Sequence, residues 1–263
     1  MTRIVHLSDL HFGFHRAALI EPLLARIAEA RPALVVVTGD LTHRALVPQM
    51  RAARAFLDRI AAPLVLVPGN HDIPLLNPLA RLFWPFAGWR RHFGTVLSPV
   101  AQAGGVRVLG VNSADPLAWQ RGTFREGEIG RLIGGIDPAS VDVLALHHPL
   151  EQTPEVDKEL ARRAPEAARR LEAAGATIAL SGHLHIFALD ELLESGRHPG
   201  LLQLQAGTAL CARISDRQNE FAVLDIARDR VRLERHVAPM DRDGFDAPEI
   251  RHYARQDGRW RRV

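Results

Sequence analysis

The chain contains little cysteine, almost no lysine and no long apolar run, and each shortage excludes a class of protein. Its single cysteine, Cys211, rules out both an intramolecular disulfide framework and a thiolate cluster. No apolar run approaches the roughly 18 residues that indicate a membrane span. Cleavage of a signal peptide would also remove Asp9 and His11, the first candidate site residues, so we expect a cytoplasmic protein.

The shortage of lysine accounts for the high isoelectric point without invoking a nucleic-acid partner. Lys158 is the one lysine among 33 basic residues, so nearly all of the positive charge is arginine. The formal net charge is only +3, and the pI is about 9.9 because few groups titrate between neutral and high pH. We therefore predict no nucleic-acid binding and attribute the arginine preference to genomic base composition.

Hydrophobic residues make up 47% of the 263 positions, which is ample for a core. Apolar strands and helix-period segments alternate over the first 68 residues as β-α-β-α-β, the pattern of a parallel sheet. Further strands are predicted at 95–100, 106–112, 141–146 and 176–180, helices near 126–134 and 155–174, and a β-meander at 201–205, 220–226 and 231–237. We assign residues 1–240 to one domain and the polar, Arg-rich residues 241–263 to a peripheral tail.

Polar side chains follow directly after five of the apolar strands. The five segments are Ser8-Asp9-Leu10-His11, Gly39-Asp40, Gly69-Asn70-His71-Asp72, His147-His148-Pro149 and Gly182-His183-Leu184-His185. In open parallel sheets, ligands collect beyond the carboxyl ends of the strands. The repetition of this design predicts one polar site assembled from all five segments.

The donor types in these segments indicate a metal centre. The candidate ligands are Asp9, His11, Asp40, Asn70, His147, His183 and His185, all of which offer oxygen or nitrogen. Such a set suits Mn, Fe or Zn and disfavours a thiolate site. Seven ligands are enough for two ions that share a bridging carboxylate, and two metals can clamp a phosphoryl group. His71 is left over and is placed to donate a proton to a leaving-group oxygen.

With these motifs, the sequence resembles the calcineurin-like metallophosphoesterases. The resemblance implies a four-layer α/β/β/α sandwich of two mixed β-sheets flanked by helices. It also implies one metal ion on Asp9, His11 and His185, a second on Asn70, His147 and His183, and Asp40 bridging both. In such enzymes a metal-bound hydroxide attacks phosphorus, and the residue matching His71 is the catalytic histidine.

A second, less specific resemblance is to one branch of that family. Ala206-Gly207-Thr208, Arg213 and Asn219-Glu220-Phe221 are similar to the C-terminal signature of bacterial class III cyclic-nucleotide phosphodiesterases and glycerophosphodiesterases. This resemblance implies a phosphodiesterase that acts on a small phosphodiester substrate. It leaves the natural substrate, the metal identities and the oligomeric state open.

Residues 74–93 interrupt the α/β pattern with apolar, arginine and proline residues. The preferred interpretation is a short helix packed on the body of the protein. The alternative is a lid-like surface for a lipid-linked substrate or for peripheral contact with a membrane face. The second interpretation favours a pyrophosphate hydrolase of the UDP-diacylglucosamine type, although enzymes resembling that activity usually carry Arg at the position of His71.

Two other functions share these motifs. A DNA exonuclease normally needs added capping and partner-binding regions, for which this chain has little room. A non-catalytic scaffold on the same fold tends to lose the catalytic histidine or several ligands, whereas all eight positions are intact here. Among the remaining polar residues, we expect Asp72 to orient its loop and His148 to turn away from His147. We expect His15 and His43 to be surface histidines, with a position at the rim of the site as the alternative.

Overall fold

Two β-sheets packed face to face, each with helices on its outer side, make up the protein. The computed structural model describes residues 1–137, 139–154, 156–213, 215–216 and 218–263. The strands are β1 (Thr2–Leu7), β2 (Leu34–Thr38), β3 (Leu64–Val67), β4 (Val100–Ala103), β5 (Val106–Val111), β6 (Val141–Leu146), β7 (Ile178–Ser181), β8 (Leu202–Gln205), β9 (Gln218–Ile226), β10 (Arg230–Pro239), β11 (Glu249–Gln256) and β12 (Arg259–Arg262).

Seven α-helices connect or cover these strands within the described residues. They are α1 (Ile20–Ala30), α2 (Val47–Leu57), α3 (Pro78–Phe83), α4 (Ala87–His92), α5 (Glu126–Gly135), α6 (Ala164–Ala173) and α7 (Asp190–Ser195). Short 3-10 turns lie at Ala17–Leu19 and Asn70–Asp72. No helix in the described part of the chain has the length and apolar character needed to cross a membrane.

The first sheet has seven strands in the order β12-β11-β10-β9-β1-β2-β3. Strands β1, β2 and β3 are parallel, and β9 pairs antiparallel with β1, so the sheet is mixed. The second sheet has five strands in the order β4-β5-β6-β7-β8, with β4 antiparallel and the others parallel. Helices cover the outer face of β2 and β6 and the other sheet covers the inner face, which explains why both strands are buried throughout.

Three apolar clusters account for the four layers. The first lies between the sheets and joins Ile4 and Val36 of one to Val143 and Ile178 of the other. The second packs the outer face of β1–β3 on α1 and α2, and the third packs the outer face of β5–β7 on α5 and α6. The α/β/β/α sandwich expected from the sequence is confirmed.

Four details of the prediction were wrong. The strand predicted at 95–100 begins only at Val100, as β4. Residues 249–262 are not a peripheral tail, because β11 and β12 extend the first sheet and bury Tyr253 and Trp260. The meander is split, since β8 pairs with β7 in the second sheet while β9 and β10 pair in the first. The helix predicted at 155–174 begins only at Ala164, with Pro165 in its first turn; Glu155 lies outside the described residues.

Residues 74–93 form α3 and α4. Trp89 of α4 is buried in the cluster beneath α1 and α2, as expected of a helix packed on the body. Helix α3 behaves differently, because Leu79 and Phe83 are 68% and 61% exposed, and Trp84 after it is 66% exposed. Arg81 fixes this segment through hydrogen bonds to the carbonyls of Pro74, Pro116 and Ala118.

Candidate metal centre

The candidate ligands lie at the carboxyl ends of strands from both sheets. The first sheet supplies Asp9 and His11 after β1, Asp40 after β2 and Asn70 after β3. The second supplies His147 directly after β6, and His183 and His185 after β7. The inter-atomic distances below show that the two sets meet between the sheets.

One group of side chains gathers around Asp9. The Nε2 atoms of His11 and His185 are 3.0 Å apart. Asp9 Oδ1 lies 3.7 Å from His11 Nε2 and 3.2 Å from His185 Nε2. The other oxygen, Asp9 Oδ2, accepts hydrogen bonds from Ser8 Oγ at 2.6 Å and from the backbone N–H of His183 at 2.9 Å. One carboxylate oxygen is therefore held by the protein, and the other faces two imidazoles.

A second group gathers around Asn70, His147 and His183. His147 Nε2 lies 3.1 Å from Asn70 Oδ1 and 3.4 Å from Asp40 Oδ2. The His147 and His183 rings are 5.1 Å apart between centroids, and ligand atoms of these two residues lie within 4.8 Å of each other. This group is the one that the sequence resemblance assigns to a second ion.

Asp40 connects the two groups. Its Oδ1 accepts the backbone N–H of His71 at 2.8 Å. Its Oδ2 lies 3.7 Å from His11 Nε2 in the first group and 3.4 Å from His147 Nε2 in the second. This is the geometry expected of a carboxylate oxygen shared by two sites.

The atoms that could bind a metal are hydrogen-bond acceptors that face one another, so a cation is required between them. Among the described residues, the buried Asp9 Oδ1 has no hydrogen-bond partner. His147 Nδ1 donates to the main-chain oxygen of Thr38 at 2.8 Å, which leaves Nε2 directed at the oxygen atoms of Asn70 and Asp40. A proton or a metal ion must lie among these acceptors, so the residues fit a metal centre.

The pKa shifts reflect the same crowding of acceptors. Burial disfavours a charged imidazole at His147, but the Asp40 carboxylate outweighs burial and raises the pKa of His147 to about 9. Burial likewise opposes charge on His185, whose pKa is raised well above its ordinary value by Asp9 and Asp216. The same carboxylates would also attract a metal ion.

Backbone strain is concentrated in this site. Of the nine non-glycine residues with positive φ in the described part of the chain, five are candidate ligands, namely Asp9, His11, Asp40, His183 and His185, with φ from 49° to 74°. Left-handed backbone is unfavourable for most L-residues, and such strain clusters at functional sites. The left-handed turns direct consecutive polar side chains away from the strand direction and into the space between the sheets.

Two motif glycines allow the close approach of neighbouring segments. A Cβ at Gly182 would collide with Ser8 Oγ and Asp9 Oδ2, and a Cβ at Gly69 would collide with Asp40 Oδ1. Both glycines immediately precede a candidate ligand in the sequence. The residues before the ligands are therefore small because a carboxylate passes directly over them.

His71 lies beside the first group, with its ring centroid 4.9 Å from that of His11. Its Nδ1 donates to the main-chain oxygen of His43 at 2.6 Å. Since a carbonyl only accepts, the proton on Nδ1 is fixed, and Nε2 is the nitrogen left for exchange with a bound molecule. The His43 ring stacks on that of His71 at 5.5 Å, and burial lowers the pKa of His43 to about 4, so it stays neutral.

Of two neighbouring residues, Asp72 orients its loop as expected, whereas His148 does not turn away from His147. Asp72 accepts hydrogen bonds from the backbone N–H groups of Gly69, Leu41 and Thr42, which joins the loops after β2 and β3. His148 lies against His147 and His183, yet both of its ring nitrogens are engaged, with Ser113 Oγ and the Gln120 carbonyl at 2.9 Å each. His148 therefore supports the site and offers no free nitrogen to it.

The sequence did not reveal three residues near the centre. Asp216 accepts from His185 Nδ1 at 2.6 Å, but it lies on an irregular loop with no motif. Cys211, interpreted as a small buried residue, has its sulfur within 4.8 Å of ligand atoms of His11 and His185. Lys158 donates to the His183 carbonyl at 3.3 Å. The single sequence signal among them is that Lys158 and Cys211 are each the only residue of their type.

The two-sheet sandwich and the cluster of carboxylate, imidazole and amide donors define a dimetal phosphoesterase. The match to the family described as calcineurin-like phosphoesterase spans residues 2–187, and the chain belongs to that family. The recognition made from the motifs is thereby confirmed, and the family indicates a hydrolase of phosphoesters.

Individual relatives carry more specific names. The chain is 25% identical over 262 residues to a 3',5'-cyclic adenosine monophosphate phosphodiesterase CpdA of Pseudomonas aeruginosa, covering 90% of each chain. It is 26% identical over 76 residues to a probable cyclic nucleotide phosphodiesterase of Vesicomyosocius okutanii, a match that covers 26% of this chain and a third (33%) of that protein. A dimetal phosphatase from Danio rerio has a similar structure, with a TM-score of 0.66, 12% identity and coverage of 95% and 98% of the two chains.

Proposed function

We propose that this protein is a dinuclear metal-dependent phosphodiesterase. The observation that carries the proposal is the position of Asp40, whose Oδ2 faces His11 on one side and His147 on the other. One ion would be held by Asp9, His11 and His185, and the other by Asn70, His147 and His183, with Asp40 shared. When bound, two such ions polarise phosphoryl oxygens and supply hydroxide near neutral pH.

His71 is the residue that we assign to proton transfer. The His43 carbonyl fixes Nδ1–H and orients the ring, while the backbone N–H of His71 is held by Asp40 Oδ1. These two bonds tie the position of Nε2 to the carboxylate that connects the two groups. In the protonated ring, Nε2–H would donate its proton to the oxygen of the departing alcohol.

The preference for diesters rests on the relatives. Two proteins similar to this chain are named as phosphodiesterases of cyclic nucleotides, one of them matched over 90% of its length. A small phosphodiester, such as a cyclic nucleotide or a glycerophosphodiester, is therefore the substrate class that we propose. Manganese, iron and zinc all suit the donor set, and cellular supply would decide among them.

The first experiment compares hydrolysis of bis-p-nitrophenyl phosphate with that of p-nitrophenyl phosphate, in added Mn²⁺ and in EDTA. We expect chelator-sensitive activity that favours the diester. Activity that favours the monoester would contradict the diester proposal and leave a phosphomonoesterase. Metal binding without activity on either compound, or on cyclic nucleotides and glycerophosphodiesters, would favour a scaffold.

We predict that His71→Ala lowers kcat by a factor of about 10² to 10⁴ on diesters with a poor leaving group. The loss should be much smaller for bis-p-nitrophenyl phosphate, because p-nitrophenolate departs without a proton. Metal content should not change, since His71 is not among the proposed ligands. If His71→Ala binds metal normally and keeps full activity on diesters with a poor leaving group, the role of His71 as the acid is wrong.

One observation favours a second function, hydrolysis of a lipid-linked pyrophosphate. Leu79, Phe83 and Trp84 are exposed in the segment that follows the Asn70–Asp72 turn, and no acidic residue occurs between Asp72 and Asp115. An apolar surface free of acids would suit an anionic lipid. The triple variant Leu79→Ser, Phe83→Ser, Trp84→Ser should then lose activity on UDP-diacylglucosamine and keep it on bis-p-nitrophenyl phosphate. Ile250→Ser, at a distant exposed apolar residue, is the control.

A further inference from the structure

Lys158 is the one position at which this arginine-rich chain uses lysine, since the 33 basic residues comprise one lysine and 32 arginines. Its Nζ atom donates to the main-chain oxygen of His183, a candidate ligand, at 3.3 Å. The exposed ion pairs of this protein are made by arginine, whose planar guanidinium is larger than an ammonium. The exception therefore marks a position beside the centre where a compact cation is placed.

Among the residues that the structure describes, the ammonium of Lys158 has no anionic partner of its own. It is half-buried, and no carboxylate of the described residues forms an ion pair with it within 4.0 Å. Asp9, Asp40 and Asp216 are close enough to attract it, and Arg213 is close enough to repel it. Metal ions on Asp9 and Asp40 would cancel that attraction, which would leave an excess of positive charge for an anion to neutralise.

A cavity of about 430 Å³ opens beside Lys158 and His183. Its other lining residues include Trp119, Gln120, Arg121 and Arg162. Two acids also line it, but Glu159 is paired with Arg121 at 3.3 Å, and Asp157 is exposed. The cavity is large enough for a small ligand and presents cations next to the candidate metal centre.

We propose that Lys158 is a substrate-binding residue that donates a hydrogen bond to a phosphoryl oxygen from the His183 side of the centre. The inference rests on the proposed function, because a phosphoester must occupy the space between the two groups. Nζ carries three donors, and the His183 carbonyl accepts from one of them. The remaining donors serve a phosphate oxyanion as a point charge, the manner in which lysine binds phosphate.

The test uses the full chain loaded with Mn²⁺ and compares Lys158→Met with Arg169→Met. Arg169 is exposed on α6, and its guanidinium bonds to the Pro165 carbonyl of its own helix, so its loss removes the same charge from a residue that does not line the cavity. Titration calorimetry with orthophosphate should show binding about ten- to a hundredfold weaker in Lys158→Met. In Arg169→Met, the Kd for orthophosphate should stay within twofold of the original.

Two further measurements separate substrate binding from a structural role. KM for bis-p-nitrophenyl phosphate should rise by about the same factor, with a smaller change in kcat and unchanged metal content. In the unmodified protein, orthophosphate should slow acylation of Lys158 by an amine-selective reagent, with the N-terminal amine as internal reference. If Lys158→Met loses metal along with phosphate affinity, the lysine acts through His183 and the inference is wrong.

Different experimental results would contradict the role of Lys158 and the proposed function. Unchanged phosphate affinity and KM in Lys158→Met, with diesterase activity intact, would overturn the role of Lys158 alone. Weakened phosphate binding in a protein without diesterase activity would overturn the proposed function and retain the lysine as an oxyanion donor. Absence of both phosphate binding and diesterase activity in the unmodified, metal-loaded protein would overturn both.

Discussion

At the residue scale, the centre depends on side chains that are not themselves candidate ligands. Asp216 accepts a hydrogen bond from Nδ1–H of His185, and Ser8 donates one to Oδ2 of Asp9. Such partners fix the tautomer and the orientation of a ligand, so their loss weakens metal binding almost as the loss of a ligand does. The precision of the site therefore resides partly in loops that carry no recognisable motif.

We predict that Asp216→Ala weakens Mn²⁺ binding by about ten- to a hundredfold. The reason is that His185 loses the acceptor that keeps Nε2 free and aimed at Asp9. Titration of metal-depleted protein with Mn²⁺ measures the effect. Asp246→Ala, which removes an exposed partner of Arg242, is the control and should bind Mn²⁺ normally. Equal affinities in the two variants would show that His185 needs no orienting partner.

A second prediction concerns Gly182. A methyl group added by Gly182→Ala would overlap Ser8 Oγ and Asp9 Oδ2, so β1 and the loop after β7 must separate. We expect the variant to lose about 1–3 kcal/mol of stability and much of its metal affinity. Gly130→Ala is the matched control, because its added Cβ meets nothing within 4 Å and a helical alanine is favourable by up to ~1 kcal/mol. Urea unfolding of both variants tests the contrast.

How much of the site the sequence could predict depends on whether a residue follows a regular strand. Asp9, Asp40 and His147 each come directly after an apolar run, so their convergence could be inferred from strand order alone. Asp216 and Lys158 lie in irregular segments, where no periodicity fixes the direction of a side chain. Their positions depend on tertiary packing, which a local pattern does not encode.

At the element scale, β1 carries a buried histidine that links it to its parallel neighbour. His6 Nε2 and Thr38 Oγ1 of β2 are 2.8 Å apart, and the His6 side chain is fully buried. Burial lowers the pKa of His6 to about 3. In the unfolded chain, His6 therefore binds a proton near pH 6.5, whereas in the folded chain it does so only at much lower pH. Falling pH consequently favours unfolding.

We predict that His6 contributes an acid sensitivity of about 1.4 kcal/mol per pH unit between roughly pH 6 and 4. Urea unfolding in EDTA at several pH values should show that His6→Leu has a shallower decline in stability by that amount. His252→Leu changes an exposed histidine of β11 and should keep the original slope. A parallel decline in all three proteins would mean that other groups govern acid unfolding.

The strength of each element's sequence signal follows its burial. Strand β2 is buried at every residue and was evident from its apolar run. Strand β11 buries only Tyr253 among its eight residues, so its alternation is too weak to distinguish from a polar tail. Helix α3 gave the opposite difficulty, because its exposed apolar residues imitate the pattern of a packed helix.

At the scale of the whole molecule, the last two strands fasten the two sheets to each other. Trp260 of β12 is buried, and its Nε1 donates to the Thr177 carbonyl, beside β7 of the second sheet, at 3.0 Å. Tyr253 of β11 donates to Asp190 of α7 at 2.7 Å. These contacts show why the terminal residues belong to the core instead of trailing from it.

We predict that Trp260→Ala lowers the free energy of unfolding by about 3–5 kcal/mol, the usual cost of deleting a buried aromatic side chain. Arg261→Ala, the exposed neighbour on the same strand, should change it by no more than ~0.5 kcal/mol. Equilibrium unfolding in urea measures both. Similar stability of the two variants would indicate that β12 is dispensable for the fold.

The seven-stranded sheet draws its strands from both ends of the chain, with the five strands of the other sheet in between. β1 therefore pairs with β9, and Ile4 meets Leu224, more than two hundred residues later. While the chain is being synthesised, one edge of β1 stays unpaired until β9 has left the ribosome. Such distant pairing folds slowly and leaves an unpaired strand edge available to other nascent chains. This protein should accordingly depend on chaperones during synthesis more than a fold whose neighbouring strands are consecutive in sequence.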